Sequence, residues 1–497
     1  MLDRFGITDD DWQQTPASVQ QAFSSLHHQL LLLEIRSRAY ERQLTQLREQ
    51  LAQIDLLKAE VEELRERLGK NSSNSSKPPS SDPPHQRQQT LPDTTGRKPG
   101  GQPGHQGRGR KLKVMAQVDQ VVDIRPISCL HCGELLLGDD PQPARRQVSE
   151  VPTCQAQVTE CRRHRLKRSA CGAANQAQWP ADIPPGSFGS RAQAIIGYLS
   201  GRLGASHRDV AEVMKVVHGL EISLGSVAAV QQRVSAALAT PVQTAQSYVQ
   251  RQAVSYVDET SWPQQNKPRW LWLNATSSVT AFRILAGRGA AQARQLISKA
   301  ARGVVTTDRY NAYNWLPLRR RQICWAHLKR DFQAIAERGG GPAAIGQGLV
   351  EQTREVFHLW HEARGGEISR SALRRKMKPI QQRVKELLYA GAQSGHDKTR
   401  HTCANILQIE SALWTFVRIE GVEPTNNNAE RPLRRAVLWR RKSFGTQSES
   451  GSRFVERILT AVTSLRQQGR NVLEYLTSAC RSVSGSLQPC CLVPGSS

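Results

Sequence analysis

Apolar residues near the N-terminus recur at heptad-like spacing and predict one long helix. Charged and polar residues fill the intervening positions, which leaves a single narrow apolar stripe. Such a stripe favours self-association as a coiled coil, with packing on the rest of the same chain as the alternative. Two consecutive steps of three, ending at Leu57, form a stammer that overwinds the coil locally. Gly69 follows the stripe, so we assign residues 1–69 to a dimerisation helix. The stripe consists of Leu26, Leu30, Leu33, Tyr40, Leu44, Leu47, Leu51, Ile54, Leu57, Val61, Leu64 and Leu68.

Residues 184–250 also show helical periodicity. Two short amphipathic segments, HRDVAEVMKVV and SVAAVQQRVSAAL, are separated by a turn that contains glycine. This pattern is compatible with a helix-turn-helix that would present Gln231, Gln232 and Arg233 to a major groove. The alternative is a small helical core, because Ala, Val and Leu at these spacings are typical of buried helices.

Residues 251–480 change to a mixed α/β pattern. A strand ending at Asp258 is followed by the hairpin-like PRWLWLNATSSVTAFRIL, the helical GAAQARQLISKAA and the strand VVTTD. This order can bring the ends of the first and last strands together. We predict the first part of a catalytic core at 251–334, an all-α insertion at 335–420, a return to the core at 421–480 and an unpatterned tail at 481–497.

A change in composition marks residues 70–112, which are rich in Asn, Ser, Pro, Gly and basic residues. Such a composition cannot bury enough apolar area to offset the ordering of its backbone. We predict a linker that acts either as a DNA-binding arm or as a solvated spacer. Its candidate phosphate contacts are Arg97, Lys98, Arg108, Arg110 and Lys111.

The charge balance favours a polyanionic partner. The chain holds 68 Lys and Arg against 43 Asp and Glu, a net charge of +25, and we expect nucleic acid rather than a merely solubilising surface. The apolar runs are too short to span a bilayer, and the N-terminus lacks the apolar stretch of a signal peptide. We therefore expect a soluble, intracellular protein without membrane contact.

Three acidic residues lie in distinctive runs: Asp258 in AVSYVDETSW, Asp308 in VVTTDRYNAYNW and Glu430 in TNNNAERPLRR. The first two end predicted buried strands and the third opens a predicted helix. Carboxylates so placed suit hard cations such as Mg²⁺, and two such ions can promote phosphodiester chemistry. Glu259 and Glu456 are competing acids. Glu259 should point to the opposite side of its strand from Asp258, and Glu456 lies in an apolar helical run.

The ten cysteines are unevenly spaced, which favours reduced thiols or metal ligands over a disulfide framework. Cys129 and Cys132 have the spacing of half a tetrahedral zinc site. We therefore assign residues 113–183 to a small zinc-finger-like domain. Cys324 and His327 form a CxxH pair, either as zinc ligands or, as we prefer, within a packed core.

Several of these runs together resemble the IS66 family of bacterial transposases. They are the three acidic motifs, RQICWAHLKRDF after the second acid, RRKSFGTQSESGS after the third, and NSSNSSKPPSSD with GRKPGGQPGHQG upstream. The resemblance implies a DDE triad on an RNase H-like fold, with Asp258, Asp308 and Glu430 as catalytic residues that bind Mg²⁺ or Mn²⁺. It also implies DNA as substrate and His327 as a supporting residue near the scissile phosphate. Arg431, Arg434 and Arg435 would contact the DNA backbone.

The resemblance implies a second CxxC pair, from which this chain departs. Cys171 matches the second ligand of that pair, but Arg168 stands where the first should be. Cys161 or His164 could complete a zinc site with Cys129, Cys132 and Cys171, or the knuckle is a relict held by ordinary packing.

We thus predict a multidomain α/β protein with an N-terminal coiled coil, a zinc-finger-like domain, a helical DNA-binding region and an RNase H-like core interrupted by an all-α insertion. Its expected function is cleavage and joining of DNA at the ends of an insertion sequence, as a homodimer or higher oligomer with accessory proteins. We expect it in the bacterial cytoplasm, at the nucleoid. The alternatives are an RNase H-like nuclease without joining activity and a DNA-binding relict whose acids play no part.

Overall fold

The computed structural model describes residues 6–69, 111–180, 183, 186–298, 302–483 and 491–495. The chain divides into two compact units, Met1–Thr90 and Leu91–Ser497. No helix among the described residues is long and apolar enough to cross a membrane.

The first unit is helical. Thr8 caps a short helix, α1 (Asp9–Gln13), and the long helix α2 follows (Ala17–Gly69). Trp12 packs edge-on against Phe23 with ring centroids 5.3 Å apart. With 53 residues, α2 extends over about 80 Å. Its apolar stripe is exposed as far as Val61, the last stripe residue whose side chain the structure describes. The coiled coil itself stays a prediction.

Residues 111–180 form small hairpins rather than a packed core. Strands β1 (Arg165–Lys167) and β2 (Ala174–Gln176) pair in antiparallel fashion, and an isolated bridge joins Ser128 to Leu135. None of these 70 residues is buried within the described part of the chain.

Four helices precede the main sheet: α3 (Ser190–Tyr198), continued by a π turn (Leu199–Leu203), α4 (His207–His218), α5 (Leu224–Ala237) and α6 (Ala239–Gln250). Ser206 forms a capping box with Asp209 at the start of α4, and Gly219 ends this helix with φ of +65°. A glycine is favoured at that position because L side chains rarely adopt positive φ.

A five-stranded mixed sheet forms the centre of the second unit, in the order β5-β4-β3-β6-β7. β3, β4 and β5 are antiparallel, whereas β6 and β7 run parallel to β3. The predicted order of three strands, a helix and a strand is therefore confirmed. The elements are β3 (Val254–Ser261), β4 (Trp270–Ala275), β5 (Thr280–Leu285), α7 (Ala290–Leu296), β6 (Val304–Thr307) and β7 (Arg321–Ile323).

Helices account for the regular structure of the remaining described chain. Between α8 and α12 lies the predicted all-helical stretch, whose residues Leu349, Met377, Leu388 and Ile406 share one core with Val304 of β6 and Ile323 of β7. The helices are α8 (Trp325–Ala336), α9 (Gly340–Gly365), α10 (Arg370–Ala392), α11 (Asp397–Gln408), α12 (Thr415–Arg418), α13 (Asn427–Ser443), α14 (Glu449–Gln467) and α15 (Val472–Val483).

Alternate residues of β3 face two different cores. Tyr256 belongs to a cluster with Leu433 of α13 and Leu459 of α14. Val257 belongs to the cluster on the opposite face, which includes Tyr313. A third cluster packs α3, α5 and α6 against α14 and α15. Because side chains alternate along a strand, Asp258 shares the α13 face with Tyr256.

Side chains of α14 cover the edge strand β5. The backbone N–H of Ile284 donates to Glu456, that of Phe282 to the Thr460 hydroxyl at 3.0 Å, and that of Thr280 to the Ser464 hydroxyl at 3.0 Å. Four residues of an α-helix rise about 6 Å along its axis, and two residues of a strand span about 6.7 Å. Every fourth residue of α14 therefore meets every second residue of β5. The opposite edge is covered as well, since the Thr415 hydroxyl donates to the Arg321 carbonyl at 2.7 Å.

The stripe on α2 gives a first prediction. Leu47→Glu with Leu51→Glu should lower the mass of the full-length protein in solution, because both leucines lie on the stripe that would be buried between helices. Leu32→Glu with Leu56→Glu, an equal change at exposed positions off the stripe, is the matched control. Equal masses for the two doubles by light scattering would count against a coiled coil.

The covered edge gives a second prediction. Thr460→Val removes the acceptor of the Phe282 N–H and should lower the free energy of unfolding by about 1–3 kcal/mol, the cost of a buried unpaired donor. Thr353→Val is the control, because both threonines are fully buried. The Thr353 hydroxyl bonds within its own helix, to the Leu349 carbonyl, whereas the Thr460 hydroxyl also accepts the Phe282 N–H of the sheet. Urea unfolding should show a larger loss for Thr460→Val than for Thr353→Val.

Candidate active site

Two carboxylates lie side by side at the centre of the sheet. The parallel register pairs Val254 with Val304 and Tyr256 with Thr306. The last pair, Tyr256 and Thr306, lies two positions before Asp258 and Asp308, so both acids follow at the same end of two neighbouring parallel strands. The Asp308 carboxylate accepts the Tyr310 N–H at 2.9 Å, and the Asp258 carboxylate accepts the Glu259 N–H at 2.9 Å.

Glu430 reaches this site from the first turn of α13. Asn426, just before the helix, is 1% exposed and ties the helix start to the sheet. Its side-chain amide donates to the Val257 carbonyl at 3.0 Å, and its backbone N–H donates to the Cys324 thiol at 3.2 Å. Asn426 therefore fixes the position of Glu430 relative to Asp258.

Electrostatics indicate how close the acids are. The pKa of the half-buried Asp258 is raised well above its usual value, first by burial and then by the negative charges of Glu259, Asp308 and Glu430. The charges of Asp308 and Glu430 therefore lie near enough to Asp258 to act on its carboxyl. Among the described residues, no group of three ligand atoms within 4.8 Å of one another includes either aspartate. One oxygen of Glu430, Oε1, is buried and has no hydrogen-bond partner.

Arg321 supports the second acid from within the core. Its guanidinium is fully buried and donates to the Asp308 carbonyl, the Thr307 hydroxyl and the Asn314 side chain, each at 3.0 Å. Burial lowers the pKa of Arg321 to about 10. Sequence reasoning missed Arg321 and Asn426. The only signals were an arginine that opens a short strand and the first asparagine of the run NNN.

Cys324 and His327 flank Glu430. Cys324 follows β7, and its thiol, the His327 imidazole and a Glu430 oxygen all lie within 4.8 Å of one another. His327 Nδ1 is 3.6 Å from Glu430 Oε1. Burial is the main cause that lowers the pKa of His327, and burial raises the pKa of Cys324 to about 12. His327 is thus adjacent to the third acid, as a supporting residue would be.

The competing acids have other partners. Glu259 is buried on the face opposite Asp258, where it accepts from the Tyr313 hydroxyl and from Arg288 at 2.8 Å. Glu456 accepts from Arg453 at 2.8 Å besides the Ile284 N–H. Burial is the main cause that raises the pKa of both carboxyls. Both acids therefore serve the scaffold.

The comparison with known families agrees with this geometry. A family model described as the transposase IS66 family matches residues 188–453, more than half of the chain. The chain belongs to the IS66 family of transposases. The matched range contains all three acids, Cys324 and His327. A second model, for a family of unknown function (DUF6444), matches residues 31–111. No curated protein matches the chain.

Basic side chains surround the third acid of this IS66 family member. Arg431, Arg434 and Arg435 are exposed on α13, and Arg435 donates to the Arg202 carbonyl. Lys111, in the predicted arm, is exposed. The other predicted arm contacts, Arg97, Lys98, Arg108 and Arg110, lie outside the described residues.

The helices before the core pack more deeply than a free recognition helix would. Val227, Val230 and Val234 of α5 are fully buried. The Gln231 side chain donates to Ser200 at 2.9 Å and lies 3.1 Å from the His207 imidazole, whereas Gln232 is exposed. Of the two helix interpretations, the packing favours a helical core for α5.

The two cysteine runs have the same backbone turn. At residues 129–134, the Cys129 N–H donates to the Glu134 carbonyl and the Gly133 N–H to the Cys129 carbonyl, while Gly133 has φ of +75°. Arg168 and Gly172 repeat these bonds, and Gly172 has φ of +71°. Arg168 thus occupies the backbone position that Cys129 has in the first turn.

A closed zinc site is not assembled in this region. Cys132, Cys161 and Cys171 are exposed and Cys129 is half-buried. Among the described residues, one group of three potential metal-ligand atoms lies within 4.8 Å of one another. Its members are Cys324, His327 and Glu430, all outside this region. The zinc site of Cys129, Cys132 and Cys171 therefore stays a prediction.

A third prediction tests that site. Because residues 111–180 bury no side chain, a metal is their most direct source of folding free energy. At this site the purified protein should hold about one zinc per chain, so Cys132→Ser should lower the zinc content by about that amount and increase proteolysis between residues 120 and 180. Cys403→Ser, a buried cysteine of the helical insertion, is the control. Substoichiometric zinc, unchanged by Cys132→Ser, would identify the turns as a relict.

Proposed function

We propose that this protein is a DDE-type DNA transposase with an RNase H-like core, which cuts DNA at the ends of an insertion sequence and joins it to a target. The observation that carries the proposal is the match to the IS66 transposase family over a range that contains Asp258, Asp308 and Glu430. The charges of Asp308 and Glu430 also raise the pKa of Asp258, which supports a site shared by the three acids. Residues 251–334 and 421–480 would form this core, with 335–420 as its insertion.

The residues present fit a divalent cation. The pKa of Asp258 is raised by burial and by the charges of Asp308 and Glu430, and carboxylate oxygens are ligands of the kind that Mg²⁺ and Mn²⁺ prefer. The buried Oε1 of Glu430 has no hydrogen-bond partner, with His327 Nδ1 at 3.6 Å, so a cation would satisfy it. When bound, the metal supplies Lewis-acid activation of the attacking oxygen and charge stabilisation at phosphorus.

Two similar displacements at phosphorus would follow. Water attacks a phosphodiester at the element end, the P–O bond to the 3′ oxygen breaks, and a 3′-hydroxyl is released. That hydroxyl then attacks a phosphodiester of the target, losing its proton as the new P–O bond forms and the target strand breaks. Both steps are in-line and need no covalent enzyme intermediate.

The remaining modules would hold and pair DNA. Exposed Arg431, Arg434 and Arg435 follow Glu430 on the same helix and can neutralise phosphates beside the site. The basic arm at 70–112 would add contacts, and the zinc-finger-like region at 113–183 and the helices at 184–250 would contribute to recognition of the ends. Pairing of α2 would bring two ends together, with accessory proteins where the element encodes them.

The fourth prediction concerns the acids. Asp258→Ala, Asp308→Ala and Glu430→Ala should each reduce DNA cleavage by more than about a hundredfold, since each removes a metal ligand worth several kcal/mol in the transition state. Binding of DNA should stay nearly unchanged, because the basic residues are retained. Cleavage and strand transfer on paired element-end DNA, beside a gel-shift assay, measure the two quantities.

Glu449→Gln is the matched control, because Glu449 is an exposed acid in the first turn of α14 and should leave cleavage unaffected. Full activity of Glu430→Ala would place the third ligand elsewhere. Cleavage without joining by the unaltered protein would indicate a nuclease. DNA binding with neither reaction would indicate a DNA-binding relict.

A further inference from the structure

We propose that Cys324, His327 and Glu430 form a second metal site that takes a thiophilic cation such as Zn²⁺ and shares Glu430 with the acid site. The assignment of these three residues as metal ligands rests on geometry alone. Its consequence for catalysis rests on the function proposed above. A cation held there would withdraw Glu430 from Asp258 and Asp308 and keep the transposase inactive.

The geometry is that of an assembled ligand set. One donor atom from each residue lies within 4.8 Å of the others. His327 Nδ1 and Glu430 Oε1 are both buried and lack hydrogen-bond partners. Two buried polar atoms left unsatisfied 3.6 Å apart are costly, and a cation between them would satisfy both.

The backbone holds the three donors in place. The Cys324 N–H donates to the Thr307 carbonyl at 2.9 Å and the His327 N–H to the Cys324 carbonyl at 3.1 Å. The N–H of Asn426 donates to the Cys324 sulfur at 3.2 Å, which would stabilise a thiolate. Cys324 is fully buried, whereas the side chains of His327 and Glu430 are 29% and 38% exposed. A cation can therefore enter from the side of His327 and Glu430.

The chemistry of the donors selects the cation. Sulfur, nitrogen and oxygen donors suit Zn²⁺ or Co²⁺, and three protein ligands leave a fourth position open. Mg²⁺ prefers oxygen alone and would use Glu430 with Asp258 and Asp308 instead. When Zn²⁺ binds, the Cys324 thiol loses its proton to solvent and becomes a thiolate ligand. No oxidation or reduction is involved.

Cobalt titration tests the site without any need for catalysis. The full-length protein, freed of metal and carrying Cys129→Ser and Cys132→Ser to remove the predicted knuckle, is titrated with Co²⁺. We expect about one Co²⁺ per chain with a thiolate-to-cobalt charge-transfer band in the near ultraviolet and tetrahedral bands in the visible. Zn²⁺ should abolish both, and excess Mg²⁺ should not.

Two variants identify the ligands. Cys324→Ala should remove the charge-transfer band and weaken Co²⁺ binding more than about a hundredfold, since even outer-shell partners of metal ligands contribute about 10–100-fold. Cys403→Ala, at a cysteine as fully buried as Cys324, should change neither. Glu430→Gln should keep the band with weaker binding.

The outcomes separate the two proposals. Absence of the band, or its persistence in Cys324→Ala, would overturn the metal site while leaving cleavage by the three acids untouched. A charge-transfer band that depends on Cys324 would support the metal site. If the same protein neither cuts nor joins DNA, the transposase chemistry would be overturned while the metal site stands.

Discussion

Repulsion between carboxylates is the constraint around which the second unit is built. Burial and three neighbouring acids all raise the pKa of Asp258, so gathering these groups costs folding free energy unless other contacts hold the backbone. The fold provides such contacts with buried polar side chains. Arg321 holds the main chain at Asp308, and Asn426 holds β3 to the start of α13. The site is stable as a scaffold and favours cations as ligands.

The position of the third acid depends on how the chain returns to the sheet. The helices α9 to α11 pack in a cluster that extends to Val304 of β6 and Ile323 of β7, so this helical stretch shares a core with one side of the sheet. Its exit is fixed where the Trp325 N–H donates to the Pro424 carbonyl at 2.9 Å. Two residues later Asn426 begins the contacts that orient Glu430.

Local periodicity was enough to predict the strands, the hairpin and the helical insertion, because these depend on which residues alternate or recur. Strand ends and a helix start, together with the resemblance to the IS66 family, selected Asp258, Asp308 and Glu430 as candidates, and their catalytic roles stay predictions. The contacts of Arg321 and Glu456 could not be predicted in this way. Each contact is a hydrogen bond to a segment far away in the sequence, and the spacing of neighbouring residues does not indicate such a bond. The packing of α5 was left open for the same reason, since buried and DNA-facing helices share one pattern.

The covered sheet edges have a consequence for assembly. A coiled coil that paired two chains would hold their catalytic units at an effective concentration of about millimolar, far above that of free protein. At such concentrations an open edge strand is a template for misassembly. The polar ladder from Glu456 to Ser464 occupies the donors of β5. At the other edge, the Thr415 hydroxyl and the Gln322 side chain donate to the carbonyls of Arg321 and Ile323. Two units paired in this way would therefore be kept from fusing through the edges of their sheets.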